Sequence, residues 1–271
     1  MKNRIFCLLI FILAGCGFSS GLYKDILQAQ EYIEERKYEK AASIYESILL
    51  KKPSQNIRIK VNDQLGEIYS VHLNNYEKSI EFFNNIVNES NEPSSQVRSL
   101  EKIGKIYFEN IKNYSKSGDI YLKLTKIKPA LKEQALFRYR YALSIFYSSN
   151  YDKAISELRK IVKTNHKQTA VESYYYIGLA YFYKRDWISA NENWFEYLKR
   201  ETRKDKIVKT KFLIANAYES SEKLKEAYNI YYSILGEYPN PEVIKGRLDS
   251  LYKRRVSRKR WRKKIHKRHK Y

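Results

Sequence analysis

The sequence is poor in the residues that punctuate or cross-link a fold. Its 271 residues include two cysteines, five prolines, nine glycines and one methionine. So few glycines and prolines exclude a collagen-like, linker-rich or turn-dense all-β architecture. Hydrophobic residues make up 43% of the chain, which is enough for a packed core and excludes disorder throughout.

Both cysteines lie within the first sixteen residues, in and after a short apolar segment. Lys2 and Arg4 precede an unbroken apolar run of nine residues, Ile5–Leu13. A bilayer span takes about 20 apolar residues, so this run has the length of a secretory signal instead. The sequence LAGC that follows resembles the lipobox of bacterial lipoproteins, and the alternatives are an ordinary signal peptide or a buried anchor.

The lipobox resemblance has several implications for the start of the chain. Residues 1–15 would be a signal peptide that is removed, Cys16 would carry the lipid (diacylglycerol and palmitate), and residues 16–21 would form a short tether. The mature chain would then hold no thiol for disulfides, catalysis or metal binding. Because Gly17 rather than Asp follows the cysteine, the expected location is the bacterial outer membrane, lipid-anchored and facing the periplasm.

The rest of the chain repeats itself six times. Each unit has a small residue, a large residue three positions later, a second small residue about nine positions further on, and a large residue four positions after that. The first small residues of successive units lie 36 to 38 residues apart. The units are Ala29/Tyr32/Ala41/Tyr45, Gly66/Tyr69/Ser79/Phe83, Gly104/Tyr107/Ser117/Tyr121, Ala142/Ile145/Ala154/Leu158, Gly178/Tyr181/Ala190/Trp194 and Ala215/Tyr218/Ala227/Tyr231.

These units resemble the tetratricopeptide repeat (TPR), in which small residues sit where two antiparallel helices touch. The resemblance implies an all-α solenoid of about six TPR-like helix pairs over residues 22–250, with no domain boundary inside it, followed by a basic tail at 251–271. The second and third units have one extra residue, which we place in the turns at His72–Asn75 and Asn110–Asn113. The long spacing resembles envelope TPR lipoproteins, among them, distantly, the lipoprotein of the outer-membrane β-barrel assembly machinery.

No catalytic, metal or cofactor motif is present in the sequence. The chain lacks HExxH, GxSxG and a glycine-rich phosphate loop. Its carboxylates alternate with lysine, as on a solvated helix face. We therefore predict a protein that is not an enzyme and uses no cofactor.

A binding groove is predicted from the TPR resemblance, since the first helix of each repeat lines a concave face in that family. The groove positions are polar in the early units and aromatic in the middle-to-late ones. Exposed apolar clusters usually mark a partner site, whereas the alternative is packing against neighbouring repeats or the C-terminal helix. The candidate groove residues are Tyr139, Leu143, Phe146, Tyr175, Leu179, Phe182 and Phe212.

The C-terminal tail is strongly basic and contributes much of the formal net charge of +22. Residues 253–270 hold twelve Lys or Arg and no acid, so we expect the free tail to be extended or only partly helical. Its natural partner is a polyanion: anionic lipid, cell-wall polymer, an acidic protein patch, or DNA if the protein serves DNA uptake. The candidate polyanion-binding residues are Arg258, Lys259, Arg260, Lys263 and Lys264.

Two functional hypotheses follow from the sequence. The first is a membrane-anchored, non-enzymatic TPR scaffold that binds protein partners in a bacterial envelope complex, with outer-membrane protein assembly as one candidate process. The second is a polyanion-binding envelope protein that acts through its basic tail. Deleting residues 253–271 separates them, because only the second hypothesis predicts loss of partner capture.

Overall fold

The structure is a computed structural model and describes residues 20–127, 133–164 and 167–268. Within these ranges the chain forms α-helices and two short π-helical turns, and no strand. The α-helices are α1 (Ser20–Glu34), α2 (Tyr38–Leu50), α3 (Gln55–Glu67), α4 (Tyr76–Glu89), α5 (Pro93–Lys105), α6 (Tyr114–Thr125), α7 (Gln134–Tyr147), α8 (Tyr151–Val162), α9 (Lys167–Tyr183), α10 (Trp187–Leu198), α11 (Lys204–Ser220), α12 (Leu224–Ser233) and α13 (Pro241–Arg268).

The odd- and even-numbered helices alternate as the first and second members of the predicted pairs, and each of the six units supplies one pair. This confirms the all-α, TPR-like solenoid. By their internal contacts the residues divide into two compact units, Met1–Ile106 and Tyr107–Tyr271. No helix within the described ranges is both long and apolar enough to cross a bilayer.

Small residues allow the helices of a pair to approach closely, as the repeat pattern predicts. A Cβ atom on Gly66 would lie 2.4 Å from the ring of Phe83. One on Gly178 would lie 2.5 Å from the indole of Trp194. Both rings are buried in the core, so these two glycines are fixed by close packing rather than by backbone conformation.

The turn inside each pair has the same backbone in all six repeats. The residue just before the N-cap of the second helix adopts the left-handed conformation, with φ between 53° and 62°. These six residues are Arg36, Asn74, Lys112, Ser149, Arg185 and Glu222. In the four middle repeats the next side chain accepts a hydrogen bond of 3.0–3.3 Å from the backbone N–H three residues on, which caps the second helix; these caps are Asn75, Asn113, Asn150 and Asp186.

The extra residue of the second and third units lies in the helix rather than in the turn. Helices α3 and α5 continue into π-helical turns, Ile68–His72 and Ile106–Asn110. A π-helical turn holds one more residue than an α-helical turn, so it absorbs the insertion and leaves the capped turn unchanged. Our placement of the insertion in the two loops was therefore wrong.

Candidate protein-binding surface

Helices α7 and α9 bring together a continuous group of aromatic side chains. They are first helices of their repeats, pack against each other and lie in the same compact unit. We call this group the aromatic surface; it consists of Tyr139, Phe146 and Tyr147 of α7, Tyr175, Tyr176, Phe182 and Tyr183 of α9, and Tyr151 at the start of α8.

Phe146 is the floor of the aromatic surface. It is only 5% exposed, and four tyrosine rings surround it at centroid distances of 5.2–6.0 Å: Tyr147, Tyr151, Tyr176 and Tyr183. Leu143, one turn earlier, is 4% exposed. Phe146 and Leu143 therefore pack in the core, and their assignment as groove-lining residues was wrong; the packing alternative holds for these two.

The other candidate groove residues are half-buried and make specific ring contacts. The Tyr139 ring meets Tyr176 edge-on at 6.2 Å, and Tyr175 tilts against Tyr197 at 5.3 Å. Phe182 packs beside the fully buried Trp194, and Leu179 packs among the same apolar residues. These side chains lie between the buried core and the exposed tyrosines of the aromatic surface.

Phe212 belongs to a different cluster from the aromatic surface. Its ring stacks on Tyr238 at 4.7 Å and meets Tyr231 edge-on at 5.6 Å, within the cluster formed by α11, α12 and α13. The structure thus separates Phe212 from the other six candidates.

The exposed rim consists of tyrosines that the sequence analysis missed. Tyr147 is 41% exposed and Tyr183 is 57% exposed. Each lies one position after a predicted groove residue, Phe146 or Phe182, which corresponds to a rotation of about 100° around the helix. The TPR register located the correct helices, but it could not determine which of two adjacent aromatic residues points outward.

The hydroxyl groups of the aromatic surface are suited to hydrogen bonding without charge. Burial raises the pKa of Tyr139, Tyr175 and Tyr176 above the ordinary value of 10.0, so these phenols stay protonated at neutral pH. The Tyr147 and Tyr176 hydroxyl oxygens are 3.4 Å apart. Flat apolar rings with neutral donors at their edges match a protein segment that presents apolar side chains and backbone carbonyls.

The predicted basic tail continues a well-packed helix. Leu248 and Leu251 of α13 are buried against α12, and Arg254 donates hydrogen bonds to Glu219 at 3.0 Å and to Glu222 at 2.8 Å. This packing and charge neutralisation anchor α13 as far as Arg254. The helix runs to Arg268, so the expectation of an extended or only partly helical tail is not met.

Among the predicted tail residues, Arg258 pairs with Glu222. Lys259 and Arg260 are exposed and have no carboxylate within 4 Å among the described side chains. The side chains of Lys263 and Lys264 lie outside the described residues, as does Cys16.

The described side chains include no group of three or more His, Cys, Asp or Glu residues able to hold a metal ion. That the protein is not an enzyme and uses no cofactor remains a prediction from the sequence. The same holds for lipid attachment at Cys16 and for the assignment of residues 1–15 as a signal peptide.

Comparisons with known proteins identify the fold. No protein family and no curated sequence matches the chain. Among solved structures, the C-terminal part of a TPR repeat-containing protein from Cytophaga hutchinsonii is similar over 84% of this chain and 87% of its own, with 18% identity and a TM-score of 0.65.

Two further solved structures are similar over most of this chain. PilW, a type IV pilus biogenesis factor, is similar over 87% of this chain and 100% of its own, with 13% identity and a TM-score of 0.54. Pseudomonas aeruginosa PilF is similar over 86% of this chain and 97% of its own, with 13% identity and a TM-score of 0.52. At these identities the likeness shows the fold alone, and that fold is a TPR-like all-α solenoid.

Proposed function

We propose that this protein is a non-enzymatic scaffold, tethered to a bacterial envelope membrane through lipid at Cys16, that captures a protein segment on the aromatic surface. The observation that carries the proposal is the exposed rim of Tyr147 and Tyr183 above the buried Phe146. Exposed aromatic residues with a polar tip are the side chains most enriched at the energetic centres of protein interfaces. The TPR-like fold supports the same role, because its paired helices present side chains on a rigid frame.

The capture experiment replaces both rim tyrosines, Tyr147→Ala and Tyr183→Ala, in the full chain. A photo-crosslinking residue placed at Tyr176 then reports on partners in living cells. We expect the double variant to lose a discrete crosslinked band while its circular dichroism and melting temperature stay close to those of the parent.

The matched control is Tyr232→Ala with Tyr252→Ala, which removes two exposed tyrosines (64% and 62%) on α12 and α13. This control should keep the band. If both double variants behave alike, capture does not use the aromatic surface and the proposal fails.

The membrane tether is tested separately. Cys16→Ser should release the protein into the soluble envelope fraction and block processing, since the acylated thiol would be absent. A mature N-terminus at any residue other than 16 in the parent protein would contradict lipidation there. Outer-membrane location and a part in outer-membrane protein assembly belong to this proposal and are tested by membrane fractionation and by the identity of the crosslinked partner.

A second candidate function rests on the basic face of α13. Lys259 and Arg260 project from a helix whose packed side is already neutralised by Glu219 and Glu222. Such a helix would bind anionic lipid, cell-wall polymer or DNA through counterion release. Replacing Arg258, Lys259, Arg260, Lys263 and Lys264 with Gln should weaken binding to anionic vesicles and flatten its salt dependence, while leaving the crosslink at Tyr176 intact.

A further inference from the structure

A basic cavity of about 450 Å³ lies beside the second helix of the fourth pair, and its lining shares no residue with the aromatic surface. Its lining comes from one face of α8 and the end of α9. Four cationic side chains and one acid surround it: Arg159, Lys160, Lys163, Lys184 and Asp152. The volume falls within the usual range of small-ligand sites, about 300–1,000 Å³.

Neutralisation of these cations is incomplete. Asp152 pairs with Lys184, and Lys160 pairs with Glu157 at 2.7 Å. The guanidinium of Arg159 has a neutral partner, since it donates to the Tyr181 hydroxyl at 2.7 Å.

Lys163 lies one helical turn after Arg159 and has no carboxylate within 4 Å among the described side chains. Like charges at this spacing destabilise a helix, and an anion bound between them would remove that cost. The cavity therefore has room and charge for an anion that the chain itself does not supply.

The cations are a departure from the repeat. Aligned on the second small residue, the positions of Ser156, Arg159, Lys160 and Lys163 hold three cations and no acid in the fourth unit alone. The third unit is the nearest to it, with Lys123 and Lys126 but also Asp119. Since the other units form the same helix with other residues, helix formation does not require these cations.

We propose that this cavity binds a phosphate ester through Arg159 and Lys163. An arginine fork with an adjacent ammonium is the arrangement that recognises phosphate oxygens, and the Tyr181 hydroxyl already orients the fork. The apolar floor at Ile155 and the Tyr181 ring leave space for an organic group attached to the phosphate. Glycerol phosphate carries the required chemistry, either free as a monoester or as the diester headgroup of phosphatidylglycerol.

The test is a titration of the full chain with glycerol phosphate at fixed ionic strength. Binding is followed by the NMR signal of the Arg159 side-chain Nε–H, which distinguishes this cavity from the arginines of α13. We expect Arg159→Gln with Lys163→Gln to weaken calorimetric binding at least tenfold. Arg159→Lys keeps the charge but loses the fork, and should have an intermediate effect.

The matched control is Lys123→Gln with Lys126→Gln. These two exposed lysines at the end of α6 give the same change in net charge outside the cavity. The control should change affinity less than twofold. Equal loss in both double variants would mean general charge attraction only, and an Arg159 signal that does not shift in the parent would overturn the proposal outright.

Vesicles distinguish the two sources of the phosphate. If phosphatidylglycerol vesicles bind the parent more tightly than free glycerol phosphate, with the same loss in the cavity variant, the ligand is a lipid headgroup. If the cavity variant binds vesicles as tightly as the parent but binds glycerol phosphate more weakly, the ligand is a soluble phosphate monoester. If the cavity variant binds both vesicles and glycerol phosphate as tightly as the parent does, the proposal is wrong.

Discussion

The second and fourth helix pairs place opposite chemistry at the same positions of the same fold. In α3 these positions hold Asp63 and Glu67, and both carboxylates lie 2.7 Å from the ammonium of Lys102 on α5. In α7 the matching positions hold Tyr139 and Leu143, which contact other rings and the core. The repeat therefore requires small residues where its helices touch and leaves these positions free to carry either ion pairs or rings.

The first prediction compares the stability contributions of a buried and an exposed residue of the aromatic surface. Phe146→Ala should lower the free energy of unfolding by about 3–5 kcal/mol, because it empties a buried site surrounded by four rings. Tyr147→Ala, at the adjacent exposed position, should cost no more than about 1 kcal/mol. Urea unfolding measures both, and similar losses would show that the whole surface is core rather than a binding site.

The second prediction tests the close helix contact at a small residue, here in the fifth helix pair. Gly178→Ala should destabilise by about 3 kcal/mol, at the upper end of ordinary overpacking, because the new Cβ would lie 2.5 Å from the fully buried Trp194. Gly246→Ala is the control, since no atom lies within 4 Å of its Cβ position. The control should stabilise α13 slightly, by up to about 1 kcal/mol. An unchanged melting temperature in Gly178→Ala would refute the close approach of α9 and α10.

The third prediction concerns alkaline pH, at which the aromatic surface should lose stability. Burial raises the pKa of Tyr139 and Tyr176 above 10.0, so the folded state holds these protons more tightly than the unfolded state. Their contribution is complete below pH 10 and declines as the pH rises further. Melting temperatures measured from pH 8 to 12 should fall above pH 10, less steeply in Tyr176→Phe. Ordinary titration of these tyrosines near pH 10 in the folded protein, followed by ultraviolet absorbance, would contradict this.

The repeat pattern predicted the number of helix pairs, the small contacts at Gly66 and Gly178, and the helices that carry the candidate site. It did not predict the π-helical turns, because an inserted residue has the same spacing whether it lies in a helix or in a loop. Nor did it separate Phe146 from Tyr147, since both are aromatic and the outward direction depends on neighbours about 30 residues away, such as Tyr176 and Tyr183. Local periodicity therefore determines the helix pairs, whereas packing between distant residues determines which side chains the aromatic surface exposes.

The fourth prediction concerns the ammonium of Lys102, which pairs with the two carboxylates of α3. Lys102→Gln should cost about 1 kcal/mol, because it leaves Asp63 and Glu67 facing each other without their shared ammonium. The effect is small because all three side chains are partly exposed and screened by solvent. Lys245→Gln breaks a more exposed pair with Glu242 and should leave the free energy of unfolding nearly unchanged. Equal losses in the two variants would show that the half-buried position of Lys102 adds nothing to the stability of the pair.

The smallest effect is expected in the turn that all six repeats share. Ser149 adopts φ of 61°, in the left-handed region that disfavours residues with a Cβ atom. Ser149→Gly removes that steric strain at the cost of greater freedom in the unfolded chain, so we expect a net stabilisation of up to about 1 kcal/mol. Ser156→Gly, inside α8, makes the same chemical change where the backbone is helical, and should destabilise by about 0.5–1 kcal/mol. Opposite signs for the two variants in urea unfolding would confirm that the turn is under strain. Destabilisation by Ser149→Gly as large as that by Ser156→Gly would show instead that this turn accommodates a side chain without cost.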